Sequence, residues 1–151
     1  MLRVYVSAVM DVTVEEAWSV LRDFNALPVY HRFFKDSYIE NDWPADRIGC
    51  VRNFKTKEGD DYIREQLLSL SDRDYLCCYT IIEASVPLLN YVSEMRLRSV
   101  TESQQTFGEW WAEFNTPADQ EADLVARVTD TFRFAFEGAT EVAKARRRSA
   151  S

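Results

Sequence analysis

The sequence predicts an α+β protein in which a curved antiparallel sheet of seven strands wraps around a long C-terminal helix. Two observations lead to this class. Apolar and polar residues alternate with a period of two through most of the segment 35–115, and an apolar stripe at helical spacing follows over 124–142. Because one long helix must cover one face of all the strands, the sheet has to curve around it.

The first elements are one strand and two short helices. The valine-rich segment 2–10 predicts the opening strand. Thr13 and Glu16 have the spacing of a capping box, which predicts a helix running to about residue 23. The segment 25–34 contains Pro28 and three aromatic residues, and it predicts a second short helical turn next to the core.

Six further strands are predicted between residues 35 and 115, mostly joined as hairpins. Turn signals separate them at 41–49, 58–60, 71–74, around Pro87 and at 101–104. The helix that follows has its apolar stripe at Leu124, Val125, Val128, Phe132, Ala135, Phe136, Ala139 and Val142.

Length and charge limit the organisation and the partners. The 151 residues suit one domain, predicted over 1–145, with a basic C-terminal tail at 146–151. The net charge of −7 opposes binding to nucleic acid. No apolar run is long enough for a membrane span, and residues 1–25 lack the pattern of a secretory signal, so a cytoplasmic location is expected. Cys50, Cys77 and Cys78 are expected to be reduced thiols.

Strand alternation assigns side chains to the inner face of the sheet. Tyr91, Ser93 and Leu97 share one parity, which alternates with charged residues, so they are predicted to point inward. By the same argument Trp110 points inward, whereas Trp111 points outward.

Two charged residues, Arg52 and Glu65, share the apolar parity of their strands. If Glu58 and Gly59 form a two-residue hairpin turn, the numbers of paired residues sum to 117, which places Arg52 opposite Glu65. Two such charges would pair, because a lone buried charge costs several kcal/mol. The pair either fixes the hairpin register only, or borders a wet cavity and offers a hydrogen-bonding end to a ligand.

His31 is the only histidine, and it lies between the second short helix and the second strand. A lone histidine is either satisfied by its surroundings or, at this junction, faces the mouth of a pocket. In the second case it is a proton donor or acceptor near neutral pH.

Five motifs stand out along the chain: "AWSVLRDFNALPVYH", "IGCVRNF", "IREQLLSLSD", "YTIIEASVPLLNY" and "EWWAEF". Together they resemble the polyketide cyclase/dehydrase family of the START-like, helix-grip (SRPBCC) superfamily over about residues 3–144. The resemblance implies the helix-grip fold, with a pocket between the sheet and the C-terminal helix. It also implies that the loop 85–90 overhangs the pocket entrance, which would explain why this loop is apolar.

The resemblance implies a set of site residues. Residues expected to line the pocket are His31, Arg52, Glu65, Tyr79, Tyr91, Ser93 and Trp110. Pro87 and Leu88 of the loop and Phe132 of the long helix complete the predicted ligand-binding set.

Three functions remain open at this point. The first is a carrier or binding protein for a hydrophobic small molecule that is polyketide-, isoprenoid- or aromatic-like. The second is a cyclase or dehydratase in which Glu65 or His31 moves a proton and Tyr91, Ser93 or Arg52 stabilises an enolate. The third is an interaction module, as in similar proteins that bind a respiratory quinone or a partner protein. Separately, the outward-facing Trp111 and Phe107 form a small apolar stripe that is a candidate homodimer contact. No cofactor or metal is expected, because the sequence has one histidine, no Cys-x-x-Cys pair and no phosphate-binding glycine loop.

Overall fold

Seven antiparallel strands form one curved sheet in a computed structural model that describes residues 1–150. The strands are β1 Leu2–Met10, β2 Phe34–Ile39, β3 Val51–Thr56, β4 Tyr62–Ser71, β5 Leu76–Ala84, β6 Leu89–Val100 and β7 Gln105–Asn115. Their order across the sheet is β1-β7-β6-β5-β4-β3-β2. The predicted number of strands and their hairpin connections are confirmed.

Three α-helices pack against this sheet. They are α1 Val14–Leu21, α2 Leu27–Tyr30 and α3 Glu121–Ala150. Short 3₁₀ turns lie at Glu40–Asp42 and Ala118–Gln120. Within residues 1–150, no helix has both the length and the apolar character needed to cross a bilayer.

The predicted capping box starts α1. Thr13 Oγ1 accepts a hydrogen bond of 3.2 Å from the Glu16 amide, and the Thr13 amide donates one of 3.0 Å to Glu16 Oε1. Glu16 also binds Arg147, whose Nε and Nη2 lie 2.6 Å from its carboxylate oxygens. Residues 146–150, which were predicted as a tail, continue α3. Arg147 on this last turn joins α3 to α1. Ser151 lies outside the described residues.

The β3–β4 hairpin has the predicted register, with Arg52 opposite Glu65. The two-residue turn assumed for this register does not form, because residues 57–60 make a four-residue turn closed by a hydrogen bond of 2.8 Å from the Thr56 amide to the Asp61 carbonyl. Gly59 lies at φ +81°, a conformation that favours glycine. Both turn lengths have the same midpoint, so they give the same pairing.

The predicted inner face of the sheet is confirmed. Tyr91, Ser93, Leu97 and Trp110 are all at most 5% exposed. The α3 stripe packs against this face through Leu124, Val128, Phe132, Ala135, Phe136 and Ala139, which are buried. Val125 and Val142 lie at its edge and are half-buried.

Gly138 allows α3 to approach α2 closely. A Cβ atom at this position would lie 1.7 Å from the Tyr30 carbonyl oxygen, so a methyl group has no room unless a helix moves. This contact holds the end of α2 against α3 immediately before His31.

We expect Gly138→Ala to lower the free energy of unfolding by about 1–3 kcal/mol, the usual effect of overpacking. The sign of this change in the free energy of unfolding is informative, because alanine stabilises an unhindered helix interior by roughly 1 kcal/mol relative to glycine. Urea unfolding of the two proteins measures the difference, with Glu141→Ala as an exposed control on α3. A stabilised Gly138→Ala protein would contradict the close helix contact.

Candidate functional site

A cavity of about 60 Å³ lies between the inner face of the sheet and α3. Its walls come from α2, strands β2 to β7 and α3, and most of them are apolar. This volume holds a few water molecules, whereas pockets for drug-sized ligands measure roughly 300–1,000 Å³. Any larger ligand therefore requires the walls to move.

Aromatic side chains fill most of the space between sheet and helix. The Trp110 and Phe132 rings stack with centroids 5.1 Å apart and planes 10° apart. Phe136 meets Trp110 edge-on at 5.5 Å. Phe132 thus lies behind Trp110 and is not part of the cavity wall.

Arg52 and Glu65 form a buried ion pair in the cavity wall. Their side chains are 5% and 6% exposed, and Arg52 Nε and Nη2 lie 3.2 and 3.1 Å from Glu65 Oε1. Arg52 Nη1 donates to the Phe24 carbonyl at 3.1 Å, and its guanidinium carbon lies 4.0 Å from the centre of the Phe24 ring. The pair therefore bridges the two strands of the hairpin and also borders the cavity. The sequence had left these two roles as alternatives.

Glu65 has an unused hydrogen-bond acceptor. Arg52 binds Oε1, while Oε2 forms no hydrogen bond with any group in residues 1–150. Burial raises the pKa of the Glu65 carboxyl, and the Arg52 charge opposes part of this rise. Burial is the largest single influence on Arg52 and lowers its pKa, but Glu65 together with the neighbouring Tyr79, Tyr30 and Cys77 outweighs burial and raises the pKa, so the guanidinium stays protonated.

Both ring nitrogens of His31 are engaged. Nε2 lies 2.8 Å from the Thr131 carbonyl oxygen, and the Phe33 amide donates to Nδ1 at 3.2 Å. A carbonyl only accepts and an amide only donates, so the ring is neutral with its proton on Nε2. Burial lowers the His31 pKa to about 4, and the hydrogen bond to Thr131 opposes this only in part. His31 lines the cavity, but in this arrangement neither nitrogen is free for proton transfer.

Trp110 connects two of the predicted polar residues. Its Nε1 donates to Tyr79 Oη at 3.1 Å and to Ser93 Oγ at 3.0 Å, and Ser93 Oγ donates to the Trp111 carbonyl at 2.9 Å. Tyr79 and Tyr91 line the cavity, whereas Ser93 lies outside its wall. Burial raises the pKa of both tyrosines, so their hydroxyls stay neutral and can donate hydrogen bonds.

The β5–β6 loop reaches the cavity through one residue. Leu88 lines the cavity and packs on the core, whereas the half-buried Pro87 is not part of the wall. Leu89 is 53% exposed. The Ser85 hydroxyl donates to Asp61 Oδ1 at 2.9 Å, which holds the loop against the end of the β3–β4 turn.

The wall also contains residues that were not predicted. They are Leu27, Phe34, Phe54, Ile63, Ile81, Val128, Thr131 and Ala135. Phe54, Ile63 and Ile81 share strand parity with Arg52, Glu65 and Tyr79. The same alternation could therefore have identified them.

The outward-facing Trp111 is partly covered by its neighbours. Its Nε1 donates to Glu94 Oε2 at 3.1 Å, and the Arg3 guanidinium carbon lies 4.8 Å from the centre of a Trp111 ring. Phe107 on the same strand is half-buried. Little of the predicted apolar stripe is therefore open, and the homodimer stays a prediction.

Comparisons with known proteins agree with this architecture. The model of the family described as polyketide cyclase/dehydrase and lipid transport matches residues 1–144. No curated protein matches the sequence.

Solved structures share the fold at low sequence identity. The protein XoxI from Bacillus cereus is 22% identical, with a TM-score of 0.81 over 94% of this chain and 95% of that one. An uncharacterised protein from Bacillus thuringiensis is 22% identical, with a TM-score of 0.80 over 94% and 98% of the two chains. A Thermobifida fusca protein is 16% identical, with a TM-score of 0.80 over 95% and 93%. These similarities fit the helix-grip fold and identify no ligand.

Proposed function

The chain belongs to the polyketide cyclase/dehydrase and lipid transport family, and we propose that it binds a hydrophobic small molecule between the sheet and α3. The observation that carries this proposal is the composition of the cavity wall. Aromatic and aliphatic side chains surround one buried ion pair, whose Glu65 Oε2 has no hydrogen-bond partner within residues 1–150. Few polar groups in an apolar pocket are typical of small-molecule sites.

The wall indicates which end of the ligand faces inward. Glu65 Oε2 can accept a hydrogen bond, and the neutral Tyr91 hydroxyl can donate one. A hydroxyl or carbonyl group on a polyketide-, isoprenoid- or aromatic-like molecule would pair with these groups, while its body contacts residues such as Ile63 and Val128. An apolar group at this end would leave Glu65 Oε2 without a hydrogen bond, while Oε1 stays bound to Arg52.

Binding requires the cavity to open. A ligand of ten carbons is larger than the cavity of about 60 Å³, so the Leu88 side chain and the aromatic rings that line it have to move apart. Tight packing elsewhere, as at Gly138, keeps α3 close to α2, so we expect the β5–β6 loop and individual side chains to move rather than α3.

Isothermal titration with decan-1-ol, a neutral probe, tests the proposal. Val128→Trp places a large ring in the cavity wall and should weaken binding at least about tenfold, or 1.4 kcal/mol. Val125→Trp is the matched control, because Val125 lies on the same helix but outside the wall. Absence of binding to the unchanged protein would overturn the proposal, as would equal effects of the two substitutions.

A cyclase or dehydratase activity is the second candidate, favoured by one observation. Glu65 combines a free oxygen at the cavity wall with a pKa raised by burial, which suits a general base. In a poly-β-keto substrate Glu65 would take a proton from carbon and Tyr91 would donate to the enolate oxygen. Glu65→Gln should then lower turnover by roughly 10²–10⁴-fold while decan-1-ol still binds. A carrier would show no turnover in either protein.

A further inference from the structure

A surface groove of about 390 Å³ lies directly outside the cavity wall. The α2–β2 corner, the β3–β4 turn and α3 form it, and a hydrogen bond of 2.9 Å from the Lys57 amide to the Phe33 carbonyl joins the first two. Phe34 and Thr131 line both the groove and the cavity. A single layer of side chains therefore separates the two spaces.

The groove is more positive than the protein as a whole. Arg32, Lys57 and Arg127 line it together with two carboxylates, Glu58 and Asp130, in a chain with a net charge of −7. Arg133 on the same helix lies 3.3 Å from Asp130 and offsets part of the Asp130 charge.

Two of the groove cations have hydrogen-bond donors to spare. Lys57 is exposed and forms no ion pair within residues 1–150. Arg127 Nη2 lies 3.6 Å from Asp61 Oδ2, which is too long for a hydrogen bond. Arg32, in contrast, is bound to Glu137 at 2.9 Å.

We infer that the ligand of the proposed site carries an acidic group, which binds in the groove next to Lys57 and Arg127 while the apolar body passes Phe34 into the cavity. The groove supplies cations and solvent to an anion, whereas the Arg52 charge in the cavity is already paired with Glu65, so a second anion there would be buried without a partner. Phe33 and Phe34 give the first part of the ligand body an apolar surface. This inference rests on the proposed function and adds the chemical class of the ligand.

Titration with decanoate and decan-1-ol at equal ionic strength tests the inference, because the two probes share an apolar chain and differ in the charged group. Decanoate should bind about three- to fivefold more tightly, the effect of one or two exposed charge interactions. Lys57→Gln should remove most of this preference and leave decan-1-ol binding unchanged. Lys55→Gln is the matched control, since Lys55 is exposed on the adjoining strand but outside the groove.

The outcomes separate this inference from the proposed function. If both probes bind equally and Lys57→Gln changes neither, the inference is wrong and the hydrophobic site stands. If Lys55→Gln and Lys57→Gln weaken decanoate equally, the preference comes from overall charge and the groove site is excluded. If neither probe binds, the proposed function fails and the inference fails with it.

Discussion

Glu65→Leu is expected to lower the free energy of unfolding by about 3–5 kcal/mol, the usual cost of removing one partner of a buried ion pair. The substitution leaves the Arg52 guanidinium buried, still protonated and without its carboxylate. Its remaining contacts, the Phe24 carbonyl and the rings of Phe24, Tyr79 and Phe54, do not neutralise it. Urea unfolding at pH 7 measures the loss.

The double variant Arg52→Met and Glu65→Leu distinguishes the unpaired charge from lost packing. Replacing both charges with apolar groups of similar size should recover most of the stability, because buried ion pairs gain little over apolar contacts. Glu83→Leu is the control on the neighbouring strand, where an exposed pair with Arg64 at 2.9 Å should contribute less than about 1 kcal/mol. A double variant as unstable as Glu65→Leu would contradict this account.

The same substitutions bear on function. The double variant removes the ion pair from the cavity wall, keeps the Tyr91 hydroxyl there and leaves the Lys57 groove intact. If the ligand places a hydroxyl group at Glu65, the double variant should favour probes with a fully apolar end. Urea unfolding thus measures what the pair contributes to stability, and probe binding measures what it contributes to ligand recognition.

Alternation along the strands was enough to predict the hairpin pair. Arg52 and Glu65 stood out because two charges shared an apolar parity, and the midpoint of the turn fixed their register. The length of the turn could not be deduced in this way. Turns of two and four residues about the same midpoint give identical pairing, and the Thr56 side chain, which accepts from the Asp61 amide at 2.9 Å, favours the longer one.

Alternation could not predict the size of the cavity or its neighbouring groove. The cavity volume depends on how Trp110, Phe132 and Phe136 stack, and strand parity does not specify side-chain rotamers. The groove combines Phe33, Lys57 and Arg127 from three separate parts of the chain. Nothing in their sequence spacing indicates that these residues meet. The family resemblance gave the general position of the pocket, but neither the cavity volume nor the residues of the groove.

His31 should lower the free energy of unfolding as the pH falls from 7 towards 4. The loss relative to pH 7 should reach about 3 kcal/mol at pH 4. Its pKa is about 4 in the folded protein and about 6.5 in an unfolded chain. The unfolded state therefore binds the proton first, so this contribution is complete above about pH 6.5 and is lost as the pH falls to about 4. Burial is the main cause, and Arg32, Arg52 and Lys57 add repulsion.

Comparison with His31→Gln isolates this effect from the carboxylates, including Glu65, whose raised pKa acts in the opposite direction. Glutamine can keep a hydrogen bond to the Thr131 carbonyl without titrating. The stability difference between the two proteins should change between pH 6.5 and 4 and then become constant. The ring protons of this single histidine give its pKa directly by NMR. A value near 6.5 would mean that the ring reaches solvent, which would return His31 to consideration as the acid or base of the cavity.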